Sequence, residues 1–361
     1  VILFLHNRYR NPAGEEQAVR NLMWLVRERL GEEVELFERD SADLGRAAAA
    51  RGLLRGGLDP DAVAGAVRRT GARVVHAHNI HPAFGWRALA AARAAGARVV
   101  LHLHQYRLVC AVGVCFTGGA ECTRCHARNT LPGLLRNCRG NAAEALVYAG
   151  ALAAWQRRIA ASVDAFVVPS AFAATRLREL AAPIPAPHVV PHPLPALAER
   201  AAPVRDGYAL FAGRLEPEKG LAIAVEACHA AAIPLVVAGV GSERARFSSA
   251  PGVTFTGAVD ERELARLRAG AGVAVVPSLF AETFGLAAAE AMAAGLPVAA
   301  SRIGALPELI PADWLTPPGD AAALARTLSR LRGDRLAGER ALARVRETTA
   351  RAETALAALY S

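Results

Sequence analysis

The feature that most constrains this chain is a series of short apolar runs that do not alternate with polar residues and are separated by stretches of helical composition. In the second half they lie at 208–212, 235–238, 253–256, 273–276 and 297–300, with helices expected from Leu221, near Glu243, from Glu261 and from Ala321. The first half repeats the theme at 1–5, 34–38, 73–77, 98–103 and 165–168. A strand that is apolar on both faces must be covered on both faces, which a parallel sheet with crossover helices provides. At 361 residues and 53% hydrophobic content, there is too much apolar chain for one ordinary core. The expected fold class is therefore α/β, with two doubly wound, Rossmann-like domains in tandem.

Pro183, Pro185, Pro187, Pro191, Pro193, Pro195 and Pro203 break regular structure between the halves. The expected boundaries are a first domain over 1–188, a linker over 189–205, a second domain over 206–345 and a C-terminal helical segment over 346–361, whose return to the first domain the sequence leaves open. Charge is uneven. Residues 1–190 hold 24 arginines against 15 acids, and 191–361 hold 18 bases against 18 acids. An anionic partner for the first domain is expected, either a membrane surface met peripherally or a phosphate-bearing, lipid-linked acceptor. Nucleic acid is not expected, because only 6% of residues are aromatic and none interleave with the arginines as a stacking motif. No signal peptide is legible, and the apolar stretch 145–155 is too short to cross a bilayer. A cytoplasmic chain, at the inner face of the membrane if bound there, is the expectation.

Lys219 is the only lysine; the other 41 strongly basic residues are arginine. A single ammonium in such a background marks a site that suits a compact point charge rather than a planar fork, and a phosphate clamp is one. It lies in Gly213-Arg214-Leu215-Glu216-Pro217-Glu218-Lys219-Gly220. The second signal is the stretch from Pro277 to Glu290, where Glu282 and Glu290 stand eight residues apart around a helix expected to begin near Phe284. Amides of Phe284, Gly285 and Leu286 at that helix start would face the ligand edge of a parallel sheet. Two carboxylates so spaced suit a sugar at one end, a ribose diol at the other and a diphosphate between them.

These residues resemble the retaining glycosyltransferases of family 4, whose GT-B fold sets two Rossmann-like domains across a deep cleft. The likeness covers nearly the whole chain. It implies that Arg214 and Lys219 hold the diphosphate, Glu290 the ribose, and Glu282 with the Phe284, Gly285 and Leu286 backbone the sugar, while Gly213, Gly257 and Val259 line the donor and its base. Gly14, ahead of a helix over 17–30, resembles the family's glycine loop. His104, ending the run 99–110, matches a histidine placed near the transferred sugar in a sub-branch with a cysteine-containing insert, here 106–140. Gln105 stands where Asp or Asn is usual. His76, His78, His81 and His102 read first as packing, with His78 beside Asn79 the nearest to a ligand role.

Five of six cysteines, Cys110, Cys115, Cys122, Cys125 and Cys138, fall within this insert. Cys110, Cys122, Cys125 and Cys138 could hold a structural zinc ion, with Cys115 spare; disulfides and free thiols are the other readings. The resemblance implies transfer of a sugar from a nucleotide-diphosphate sugar to an acceptor hydroxyl with no catalytic cofactor, because Arg214, Lys219 and the helix amides supply the positive charge. Two other readings use the same cleft: a nucleotide-sugar epimerase or glycan phosphorylase, and a non-catalytic nucleotide- or carbohydrate-binding protein.

Overall fold

The structure, a computed structural model, describes residues 1–10, 14–195 and 202–361. Val1–Thr117, Cys122–Pro193 and Arg351–Ser361 form one compact unit, and Gly118–Glu121 with Leu194–Ala350 form a second.

The first unit runs β1 (Ile2–Arg8), α1 (Gly14–Glu28), β2 (Val34–Asp40), α2 (Arg46–Arg55), α3 (Pro60–Thr70), β3 (Val74–Ala77), α4 (Gly85–Ala94) and β4 (Arg98–His102). The insert follows, with the two-residue strand β5 (Phe116–Thr117), the two-residue β6 (Ala120–Glu121), which groups with the second unit, and the short α5 (Leu131–Leu135). Then come α6 (Ala142–Ala161), β7 (Ala165–Val168), α7 (Ala171–Glu179) and β8 (His188–Val189). The sheet is parallel in the order β2-β1-β3-β4-β7-β8. Its strands show why the apolar runs do not alternate. Leu3 and Leu5 join Val75, Ala77, Val99 and Leu101 in one core, and Ile2 and Phe4 join Val74 and Val100 in another on the opposite face.

The second unit runs β9 (Tyr208–Ala212), α8 (Leu221–Ala230), β10 (Leu235–Ala238), α9 (Arg244–Phe247), β11 (Val253–Gly257), α10 (Glu261–Gly270), β12 (Ala271–Val276) and α11 (Leu286–Ala293). It continues through β13 (Val298–Ser301), α12 (Leu306–Leu309), β14 (Leu315–Thr316), α13 (Ala321–Leu331) and α14 (Arg335–Tyr360). The parallel order is β11-β10-β9-β12-β13-β14. Side-chain caps start α10 and α13: Asp260 accepts from the Glu263 N–H at 2.7 Å and Asp320 from the Ala323 N–H at 2.8 Å.

Several boundaries differ from expectation. β1 extends to Arg8, because His6 and Asn7 are buried and stay in register with β2 although they are polar. Helix α1 already includes Gly14, ahead of the expected start at Gln17, so Gly14 is helical rather than part of a preceding loop; residues 11–13 lie outside the described residues. α11 begins at Leu286, with Gly285 as a left-handed N-cap (φ 92°), so Phe284 precedes the helix. The terminal helix is α14, starting at Arg335; from Arg351 it belongs to the first unit. There Ala352, Leu356, Leu359 and Tyr360 pack with Phe4, Leu22 and Val100. In the segment 189–205, Val189 ends β8, Leu194 joins the core of the second unit, and 196–201 lie outside the described residues.

Candidate active site

In an open parallel sheet, ligands bind beyond the carboxyl ends of the strands, where the strand order reverses. In the second unit that point lies between β9 and β12, and the loops leaving these two strands carry Gly213 to Lys219 and Pro277 to Glu282. They are tied together: the Leu279 N–H donates to the Glu218 carbonyl at 2.8 Å, and Lys219 Nζ bonds Glu282 Oε1 at 2.8 Å. Ser278 Oγ donates to the same Glu282 oxygen at 2.8 Å, and the Lys219 ammonium lies 4.6 Å from the Phe280 ring centroid. The lone lysine and the first glutamate are therefore direct partners, 63 residues apart in sequence.

The turn after β9 can approach its neighbour only through glycine. A Cβ on Gly239, at φ 148°, would stand 1.8 Å from the Gly213 carbonyl oxygen. Glu282 is fixed similarly, since its carbonyl accepts from the Ala305 N–H at 2.8 Å and a Cβ on Gly304 would meet its backbone N at 2.4 Å. Arg214 bonds Glu218 at 3.2 Å and is about half exposed. Gly257 ends β11 and its carbonyl accepts from the Gly239 N–H at 2.8 Å; Val259 is half-buried just beyond.

Glu290 lies inside α11, where Arg268 donates to its Oε2 at 2.8 Å. Ala289 is the first residue whose N–H bonds back along the helix, to Gly285 at 3.0 Å, so the amides of Leu286, Ala287 and Ala288 lie ahead of the ladder. The amide cluster sits two residues later than expected, starting at Leu286 rather than Phe284. Each glutamate is thus held by a base, and the sequence reading missed Arg268 and Ser278. Ser278 had a signal in its place straight after the β12 strand end. Arg268, in the last turn of α10, had none.

In the first unit the strand order reverses between β1 and β3. A pocket there is lined by Tyr9, Glu15, His78, His104, Gln105 and Arg107, among others. The Tyr9 hydroxyl donates to Glu15 at 2.6 Å, the Tyr9 N–H donates to Glu16 at 3.0 Å, and Gln105 Nε2 reaches the Tyr9 oxygen at 3.3 Å. Glu15 and Glu16 stand in the first turn of α1 and are buried. Burial pushes the Glu15 carboxyl up and the His78 and His104 imidazoles well down. Among the described residues, Gln105 Oε1 and Arg107 Nε are buried with no hydrogen-bond partner. Gly14 is exposed at the helix start and outside that lining.

Strand parity also gathers histidines. His6 shares a face with Phe4, His76 with Val74, and His102 with Val100, while His78, His104 and His192 continue the column beyond the strands. His78 Nδ1 is 2.8 Å from His104 Nε2, and His76 Nδ1 meets the Tyr360 hydroxyl. Two triples, His76-His78-His102 and His102-His104-His192, have ring nitrogens within 4.8 Å of one another. The rings are stacked, however, with His102 and His104 4.3 Å apart and 7° from parallel. Imidazole lone pairs lie in the ring plane, so parallel rings cannot converge on one ion. The column is thus stacked packing rather than a metal centre, and His78 and His104 at its end also line the pocket.

The five insert cysteines line a single pocket of the first unit, with Cys110, Cys115 and Cys125 buried and Cys122 and Cys138 partly so. None is in a disulfide. Among the described residues no helix is long and apolar enough to cross a membrane.

Comparison with known proteins agrees with this arrangement. Residues 14–194 match the model of the glycosyl transferase 4-like domain, and residues 206–334 match that of glycosyl transferases group 1. A phosphatidyl-myo-inositol mannosyltransferase of Mycobacterium leprae is 36% identical over 135 residues, covering 34% of this chain and 36% of that protein. An MMP alpha-(1->4)-mannosyltransferase of Mycolicibacterium hassiacum is 50% identical over 82 residues, 22% of this chain and 20% of that protein. The matched region thus spans about a third or less of these relatives. Among solved structures, sucrose-phosphate synthase of Thermosynechococcus elongatus superposes with a TM-score of 0.69 at 20% identity over 99% of this chain and 98% of that one. Anabaena HepE in complex with UDP and glucose gives 0.62 at 17% identity over 99% of both chains. Both share the GT-B fold class expected from the sequence. With a family model spanning half of its residues and a second covering most of the rest, the chain belongs to the glycosyl transferase 4-like family.

Proposed function

We propose that this chain is a retaining glycosyltransferase that moves a sugar from a nucleotide-diphosphate sugar to a hydroxyl of a glycan, glycolipid or small-molecule acceptor. The observation that carries the reading is the Lys219–Glu282 bond at the strand switch point of the second unit, followed by the α11 amides and the Arg268–Glu290 pair. Lys219 and Arg214 neutralise the diphosphate, exchanging their resting carboxylate partners for phosphate oxygens. Glu282, freed from the ammonium, accepts from sugar hydroxyls, and Glu290 accepts from the ribose diol. The sugar–phosphate bond breaks as the acceptor oxygen bonds the same face of the anomeric carbon, and the leaving phosphate oxygen takes the acceptor proton. No carboxylate of the chain is needed as a nucleophile. The polar pocket of the first unit, with His104, Tyr9 and Glu15, supplies contacts to the acceptor and the transferred sugar. The arginine excess of that half suits an anionic or lipid-linked acceptor.

Relatives named as GDP-mannose-dependent mannosyltransferases and a neighbour solved with UDP point to different bases, so the donor is to be found by experiment. A panel of UDP-, GDP-, ADP- and TDP-sugars with glycan and glycolipid acceptors, read by nucleotide release and by NMR of the product, tests the reading. Acceptor-dependent turnover with the donor's anomeric configuration kept is the expected result. Inversion contradicts the mechanism, turnover without acceptor indicates an epimerase, and binding without turnover indicates a binding protein.

A further inference from the structure

Five of the six cysteines in this chain come from separate turns of one insert and line one pocket, whose other walls are Ala111, Val112, Phe116, Thr117, Pro132 and Gly133. No acid or base lines it. Thiols scattered over 29 positions meet there although none forms a disulfide. The backbone has been shaped around the sulfurs. The Gly113 N–H donates to Cys110 Sγ at 3.4 Å. A neutral thiol gains little from such donors, whereas a thiolate sulfur carrying charge gains a charge-assisted bond. Glycine at 133 lets the α5 turn close on the pocket, since a Cβ there would stand 2.5 Å from that of Ala111 and 3.6 Å from Cys125 Sγ.

We propose that this pocket is a structural zinc site in which Cys110, Cys122, Cys125 and Cys138 bind Zn²⁺ as four thiolates, with Cys115 donating its S–H to Cys110. The assignment follows from the contacts. Cys115 is the thiol that hydrogen-bonds Cys110, so it holds a ligand in place rather than competing with it. Cys122 and Cys125 supply the paired spacing of a knuckle. Cys110 and Cys125 are buried on the pocket floor, and Cys122 and Cys138 stand at its rim. Among the described residues no three of the sulfurs lie within 4.8 Å of one another. Binding therefore draws the rim residues inward and stiffens the insert. Four thiolates at about 2.3 Å close the tetrahedron and leave no open position, so the role is structural.

Elemental analysis of the full chain purified without chelator tests this. The expected result is about one zinc per chain, absent in Cys122→Ser and Cys138→Ser and retained in Cys228→Ser, whose thiol lies in the second unit. If the rim variants fail to fold, mercurial titration of the wild-type protein with a colorimetric zinc indicator gives the same information: one zinc is released as the thiols are modified, and the insert becomes more open to proteolysis. Zinc-free protein with five freely reactive insert thiols overturns the proposal. So does a Cys122–Cys125 disulfide in protein lysed with thiols blocked, or iron with labile sulfide in place of zinc.

Discussion

Lys219→Arg, which conserves charge, is expected to lower kcat/KM by about tenfold or more. The ammonium sits between Glu282 and the face of Phe280, 2.8 Å from the carboxylate. A guanidinium is longer and planar. It would either displace the Phe280 ring or hold Glu282 in a two-pronged pair that diphosphate cannot open. On the role proposed for both partners at the donor, the loss is expected in donor KM and in kcat together. Steady-state kinetics with the cognate donor measure it, and unchanged kinetics would remove the lysine from the site.

Acid is expected to destabilise the first unit strongly. Burial holds His76 and His192 down to about 3, against an ordinary value near 6.5. Between those values the unfolded chain binds the protons and the folded chain does not, so stability rises with pH there. The contribution is complete above about 6.5 and is lost progressively as pH falls towards 3. At about 1.36 kcal/mol per proton and pH unit, these two groups alone cost on the order of 4 kcal/mol between pH 6.5 and 5. Denaturant titrations across that range measure the slope, and His76→Phe should remove about one proton from it. Stability that stays flat from pH 7 to 5 would mean that the imidazoles are charged or solvated.

The sequence disclosed most where the signal was local. Glu282, Gly285 and Glu290 lie on one short stretch, and the β12 run before them, six apolar residues buried on both faces, could be little else than a central parallel strand. The two-residue strands β8 and β14 carry too few side chains to show a pattern, and α2, α3 and α4 were hidden among alanine and arginine, which suit a helix without marking its buried face. What holds the glutamates was not legible. Arg268 reaches Glu290 only because α10 runs into β12, and Lys219 reaches Glu282 only because β9 and β12 are neighbours in the sheet. The histidines could be seen alternating at 76, 78, 102 and 104, but their stacking depends on the β3–β4 register, which pairs His76 with Val100. The helix start after Phe284 was misplaced because the left-handed Gly285 delays it.

The central claim is that the second unit holds a nucleotide-diphosphate sugar with Glu282 at the sugar and Glu290 at the ribose. It is tested most directly by calorimetric titration of the cognate sugar nucleotide, and separately of its bare nucleoside diphosphate, into wild type, Glu282→Ala and Glu290→Ala. A thermal-shift screen first identifies the cognate pair, since a ligand at 100 times its Kd stabilises by about 2.7 kcal/mol. The account predicts that Glu290→Ala weakens both ligands alike, whereas Glu282→Ala weakens the sugar-bearing donor and leaves the bare diphosphate close to wild type. Equal losses on both ligands for both variants, or no loss for either, would contradict it.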